Sequence, residues 1–145
     1  SGAGAMSARS AGVILGLWLA LAAGGRGEEA PQARLSVLYF HRTARCPSCL
    51  DMETYAAETA SRFSAGREAD QVLFRAINLD DENNRHYEQD YALEFSAVVL
   101  SRRVNGQEVA WTNLPDAWAL IGDKSNFIAY VETEISRQLE QLPKP

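Results

Sequence analysis

The stretch from Leu35 to Leu50, LSVLYFHRTARCPSCL, narrows the choice of fold more than any other part of the chain. An apolar run, a short basic loop and two cysteines two residues apart read as strand, loop and helix start, with Cys46 and Cys49 in the first helical turn. They are the only two cysteines, so any intramolecular thiol chemistry uses this pair. Thiols three positions apart at a helix start close a small disulfide ring without moving the backbone. Unpaired N–H groups and the positive end of the helix dipole favour thiolate at Cys46, the outer sulfur, lowering its pKa from about 8.5 toward 7. Arg45, Arg42 and His41 add positive charge nearby. The spacing therefore predicts that Cys46 attacks a substrate disulfide and Cys49 resolves the mixed disulfide. Pro47 sets the backbone between them and lacks an N–H that would need a partner.

Other uses of two cysteines are less suited to this sequence. Zinc takes about four ligands, and only His41, His86 and carboxylates remain to complete a set. A purely structural disulfide across so small a ring removes little entropy from the unfolded chain. His41, five residues before Cys46, reads either as a proton acceptor for the thiol or as a strand-end histidine bonded to a backbone carbonyl.

Downstream, strand and helix signals alternate. The run Leu35–Phe40 is apolar apart from Ser36, as expected of a central strand covered on both faces. A helix follows from about Cys46 to Ser64, with Met52, Tyr55, Ala56, Thr59, Ala60 and Phe63 at spacings of three and four, ended by Gly66. Val72–Leu79 reads as a second strand and Glu82–Tyr91 as a short polar helix, with Asp80 to Glu82 as its cap. Ala97–Val104 and Gln107–Thr112 flank Asn105-Gly106, a strong hairpin signal. A last helix over about Asn126–Leu139 buries Ile128, Val131, Ile135 and Leu139. The order β-α-β-α-β-β-α predicts an α/β fold in which the first two strands pair in parallel. The dithiol then lies at the carboxyl end of the first strand, where such sheets present their chemistry.

With 145 residues, 46% hydrophobic and 23% charged, the chain is long enough for one core and too short for two. Residues 1–34 read as a cloning leader (residues 1–5), a signal peptide and a linker; residues 35–140 form the domain and 141–145 a tail. Arg9, the uncharged run Ser10–Gly25 and small residues at Ala20 and Ala22 suit an export signal cleaved after Ala22. The alternative is an uncleaved anchor, for which 16 uncharged residues are short against the roughly 20 of a spanning helix. Either way the expected location is exported, periplasmic or extracytoplasmic, where disulfide chemistry operates. The net charge of −5 argues against nucleic acid as main partner.

Four segments together resemble the thioredoxin-like superfamily, and more narrowly the ArsF family of small exported proteins from bacterial arsenic-resistance contexts. They are FHRTARCPSC with Glu53 beyond it, NLDDENNRHYEQDY (Asn78–Tyr91), FSAVVLSRRVNG (Phe95–Gly106) and WTNLPDAWALIGDKSNFIAYVETEI (Trp111–Ile135). The resemblance spans about Leu35 to Leu139. It implies a thioredoxin-like fold, a central mixed four-stranded sheet with flanking helices, with Cys46 and Cys49 as the redox pair and no bound cofactor. It supplies no established reaction.

Three positions depart from the general thioredoxin pattern. The cis-proline that faces the dithiol corresponds to Ser96, or Ala97 one residue on. The buried acid that assists the inner cysteine falls at about Phe40, and the tryptophan before the first cysteine is Arg45. Three readings follow: an oxidoreductase for a specific protein disulfide or dithiol partner, with His41 or Arg45 promoting the Cys46 thiolate; a binder of Cu(I) or As(III) through Cys46 and Cys49, with the Ser96 hydroxyl near; or a non-catalytic partner-binding module. Trp111, Trp118 and Phe127 read as core or loop packing before they read as a substrate platform.

Overall fold

A computed structural model of the protein describes residue 2, residues 29–66 and residues 70–144. The expected signal peptide lies outside the described residues. Among the described residues, no helix is long and apolar enough to cross a membrane.

The chain forms a four-stranded mixed sheet with flanking helices, a thioredoxin-like α/β arrangement. Strand β1 (Ala33–His41) lies second in the order β2-β1-β3-β4, parallel to β2 (Val72–Asn78) and antiparallel to β3 (Ala97–Val104), which pairs with β4 (Gln107–Asn113). Helix α1 (Pro47–Ser64) connects the parallel pair, as the strand-helix-strand order requires. Between β2 and β3 come a 3₁₀ turn (Glu82–Asn84) and a five-residue helix, α2 (His86–Asp90), where the sequence pattern suggests one continuous helix. Two helices follow β4: a short α3 (Ala117–Leu120), which the hydrophobic pattern does not signal, and α4 (Lys124–Glu140).

Period-two alternation divides β1 between two cores. Leu35, Val37 and Tyr39 face Met52, Ala56 and Ala60 of α1 and Phe127, Val131 and Ile135 of α4. Leu38 and Phe40 face the other way, with Ile77, Leu79, Val99 and Tyr91. Helices α1 and α4 pack together on the first face, where Tyr55 meets Phe127 edge-on at 5.6 Å between ring centroids. Ion pairs Lys124–Glu58 and Arg62–Glu132, each 2.7 Å, lie over this seam; exposed pairs of this kind contribute at most about 1 kcal/mol each. On α4 the buried residues include Gln138, whereas Leu139 is only partly covered, so the buried stripe ends on a polar residue one position before Leu139.

Every residue from Leu35 to Phe40 is buried, as expected of a strand covered on both faces, but helix covers the second face only in part. Helix α2 is too short to span the sheet, so Tyr87, Tyr91 and Leu93 cover only the half nearest the carboxyl end of β1. The other half, around Arg34, Ser36, Ser101 and Arg103, forms an open basin.

The hairpin has the geometry its sequence demands. Asn105 and Gly106 take φ of 51° and 80°, the two left-handed residues of a type I′ turn, and the Asn105 side chain accepts the backbone N–H of Gln32 at 3.0 Å. A register shift between Arg102 and Arg103 marks a bulge that no local sequence signal announces.

Candidate functional site

Cys46 stands at the N-cap of α1 with extended backbone (φ −86°, ψ 160°) and Pro47 opens the helix. That cap places sulfur where helices usually place a hydroxyl or carboxylate: the Cys49 N–H donates to Cys46 Sγ at 3.1 Å. The two cysteines form a disulfide with Cα atoms 5.0 Å apart. Cys46 is exposed and Cys49 half-buried, so an incoming thiol reaches the outer sulfur first.

Beneath the pair lies a residue the sequence reading overlooked. Tyr39, fully buried on β1, donates its hydroxyl to the Cys49 carbonyl at 2.7 Å. Burial pushes its phenol pKa up, while hydrogen bonding from Ser96 and the charge and hydrogen bond of Arg45 act in the opposite direction. The Tyr39 hydroxyl thus holds the dithiol turn, while its ring meets Arg45 of the basic loop before α1. A buried tyrosine needs a partner for its hydroxyl, which is the one signal that points to it in the apolar run. Phe40, where the resemblance puts a buried acid, faces the opposite core and packs at a tilt against the rings of Tyr87 and Tyr91.

The basic loop is more thoroughly neutralised than its composition suggests. Arg45 pairs with Glu53, and its guanidinium lies 5.8 Å from the Tyr39 ring centroid. Its Nε is buried and meets no acceptor among the described residues. Arg42 pairs with Asp80 and Glu88. Asp80, read from sequence as part of a helix cap, instead accepts the Thr43 backbone N–H at 2.7 Å and braces the loop leading to the dithiol. That bond, with Arg42 beside it, holds the Asp80 carboxyl below its usual range. The 3₁₀ turn takes no side-chain cap from Asp81.

No family model matches the chain. No curated protein matches it either. Among solved structures, one described as the structure of a malarial protein is similar over 63% of this chain and 97% of its own, with 17% identity and a TM-score of 0.39.

The remaining expected site residues are distributed as follows. His41 ends β1, stacks on Tyr39 at 5.9 Å and bonds through Nδ1 to the Arg42 carbonyl at 2.9 Å. This is the carbonyl-bonded arrangement foreseen as the alternative to an acid–base role; with Nδ1 carrying the proton, Nε2 keeps its lone pair. Ser96 precedes β3 and its carbonyl accepts the Trp118 Nε1–H at 2.7 Å. Trp118 and Phe95, both exposed, flank a groove of about 400 Å³ beside Ser96. Trp111 lies on the other sheet face against Tyr91, and Phe127 is core. His86, bonded to Asp90 at 2.7 Å, is exposed on α2.

Proposed function

We infer that the chain is an exported thiol-disulfide oxidoreductase acting on a specific protein partner, with Cys46 as nucleophile and Cys49 as resolving thiol. The observation that carries this reading is the exposed Cys46 sulfur at the helix cap, accepting a backbone N–H and paired with a less accessible second sulfur. In the reducing direction the Cys46 thiolate attacks one sulfur of the partner disulfide, forming a mixed disulfide and releasing the other partner sulfur as a thiolate that takes up a proton. Cys49, deprotonated, then attacks Cys46 Sγ; the partner leaves as a dithiol and the Cys46–Cys49 disulfide forms. The reverse sequence oxidises a partner.

Several features support selectivity. Arg45 is tied to Glu53, so the helix terminus, more than the loop arginines, is what favours the thiolate. The apolar groove between Phe95 and Trp118 borders Ser96, the position that faces the dithiol in the thioredoxin-like pattern; it suits a partner that places an apolar side chain beside its own cysteine. Pro47 sets the turn.

Alkylation of the reduced protein at varied pH tests this assignment. Cys46 is expected to react ahead of Cys49, with an apparent pKa clearly below the ordinary 8.5 or so. An ordinary pKa at Cys46, together with no exchange with any disulfide offered, overturns it.

A further inference from the structure

The open half of the second sheet face carries a chemistry the dithiol does not use. Arg34 and Arg103 are direct cross-strand partners in the β1–β3 ladder. Like charges placed directly opposite each other destabilise a sheet. Arg75 of β2 lines the same basin. Among the described residues none of these three arginines pairs with a carboxylate, whereas Arg42, Arg45, Arg62, Lys124 and Arg137 all do.

The carboxylate placed opposite Arg103 in register forms no ion pair with a basin arginine among the described residues. Glu108 lies opposite Arg103 in the β3–β4 ladder, but its carboxylate accepts the hydroxyls of Tyr91, at 2.5 Å, and Ser101. Arg103 instead donates to the Gly106 carbonyl at 2.5 Å, which orients its guanidinium at the rim. The floor is the cross-strand pair Ser36 and Ser101, both buried. The Ser36 hydroxyl, directed into the basin, makes no hydrogen bond among the described residues. Leu38, Leu73 and the ring of Tyr87 supply apolar wall.

A volume of about 520 Å³ falls within the range of small-molecule sites. Three guanidiniums around a floor whose Ser36 hydroxyl is unengaged among the described residues match oxyanions in geometry, since each fork donates two parallel N–H groups. Arg34 and His41 are seven residues apart on β1, roughly 23 Å along an extended strand, and on opposite faces, so a ligand here is remote from the sulfurs. We propose that the basin bounded by Arg34, Arg75 and Arg103 is a binding site for a small organic molecule bearing two or more phosphate or carboxylate groups, whose charge relieves the Arg34–Arg103 repulsion.

Calorimetric titration of the full chain with inorganic pyrophosphate and, separately, with citrate, at low ionic strength, tests the site. Saturable submillimolar binding of at least one probe is expected. Arg34→Gln and Arg103→Gln should each weaken it by about tenfold or more, and Arg85→Gln, an exposed arginine outside the basin, should leave it unchanged. The probe that binds more tightly tells phosphate from carboxylate chemistry. Without ligand, Arg34→Gln and Arg103→Gln should melt at or above the parent temperature, because each removes a like-charge contact. Binding of neither probe, binding that both variants retain, or a clear loss of stability in both variants overturns the proposal, the last because it would give the arginines a purely structural role.

Discussion

Replacing Tyr39 with alanine is expected to destabilise the folded chain by about 3–5 kcal/mol, the range for deleting a large buried aromatic side chain. The ring is fully buried between α1 and the sheet, and its hydroxyl holds the Cys49 carbonyl. Tyr39→Phe separates the two contributions. It keeps the ring and removes one hydrogen bond to a half-buried acceptor, so its cost should be about 1 kcal/mol. Urea unfolding of the oxidised protein reads both. Equal losses in the two variants would show that the hydroxyl, not ring packing, is the larger contribution.

Cys46→Ser is expected to abolish thiol-disulfide exchange, while Cys49→Ser retains the first step and accumulates a mixed disulfide. The asymmetry follows from access: Cys46 is exposed at the cap and Cys49 is half-buried behind it. Offering each reduced variant a small aromatic disulfide and weighing the products by mass spectrometry distinguishes the two. Adduct formation by Cys46→Ser but not by Cys49→Ser would invert the assigned roles.

Features set by neighbours in sequence were the legible ones. The apolar run of β1, proline after the cap cysteine and Asn105-Gly106 each constrain the backbone within a few residues, and the strand, helix start and type I′ turn stand where they were expected. The site's inner structure depends on contacts across the fold. Asp80 reaches Thr43 across 37 positions, and the Tyr39 hydroxyl reaches the Cys49 carbonyl across 10. An aromatic residue in an apolar strand looks like core whether or not its hydroxyl serves a neighbouring loop. The basin on the second sheet face escaped for a similar reason: Glu82–Tyr91 has the length of a covering helix, yet it breaks at Arg85 into two short turns. Only then does Ser36, the one polar residue in the apolar run, acquire a reason: it faces Ser101 in the basin floor.

The central claim is that the Cys46–Cys49 disulfide is a reversible redox couple, not a static crosslink. Equilibrating the protein in glutathione buffers of graded potential and trapping free thiols measures its midpoint. A reversible two-electron transition between about −270 and −120 mV, the span of dithiol oxidoreductases, is the result predicted, and its position gives the favoured direction of exchange. A pair that stays oxidised to potentials below about −300 mV, as structural disulfides do, would contradict the account.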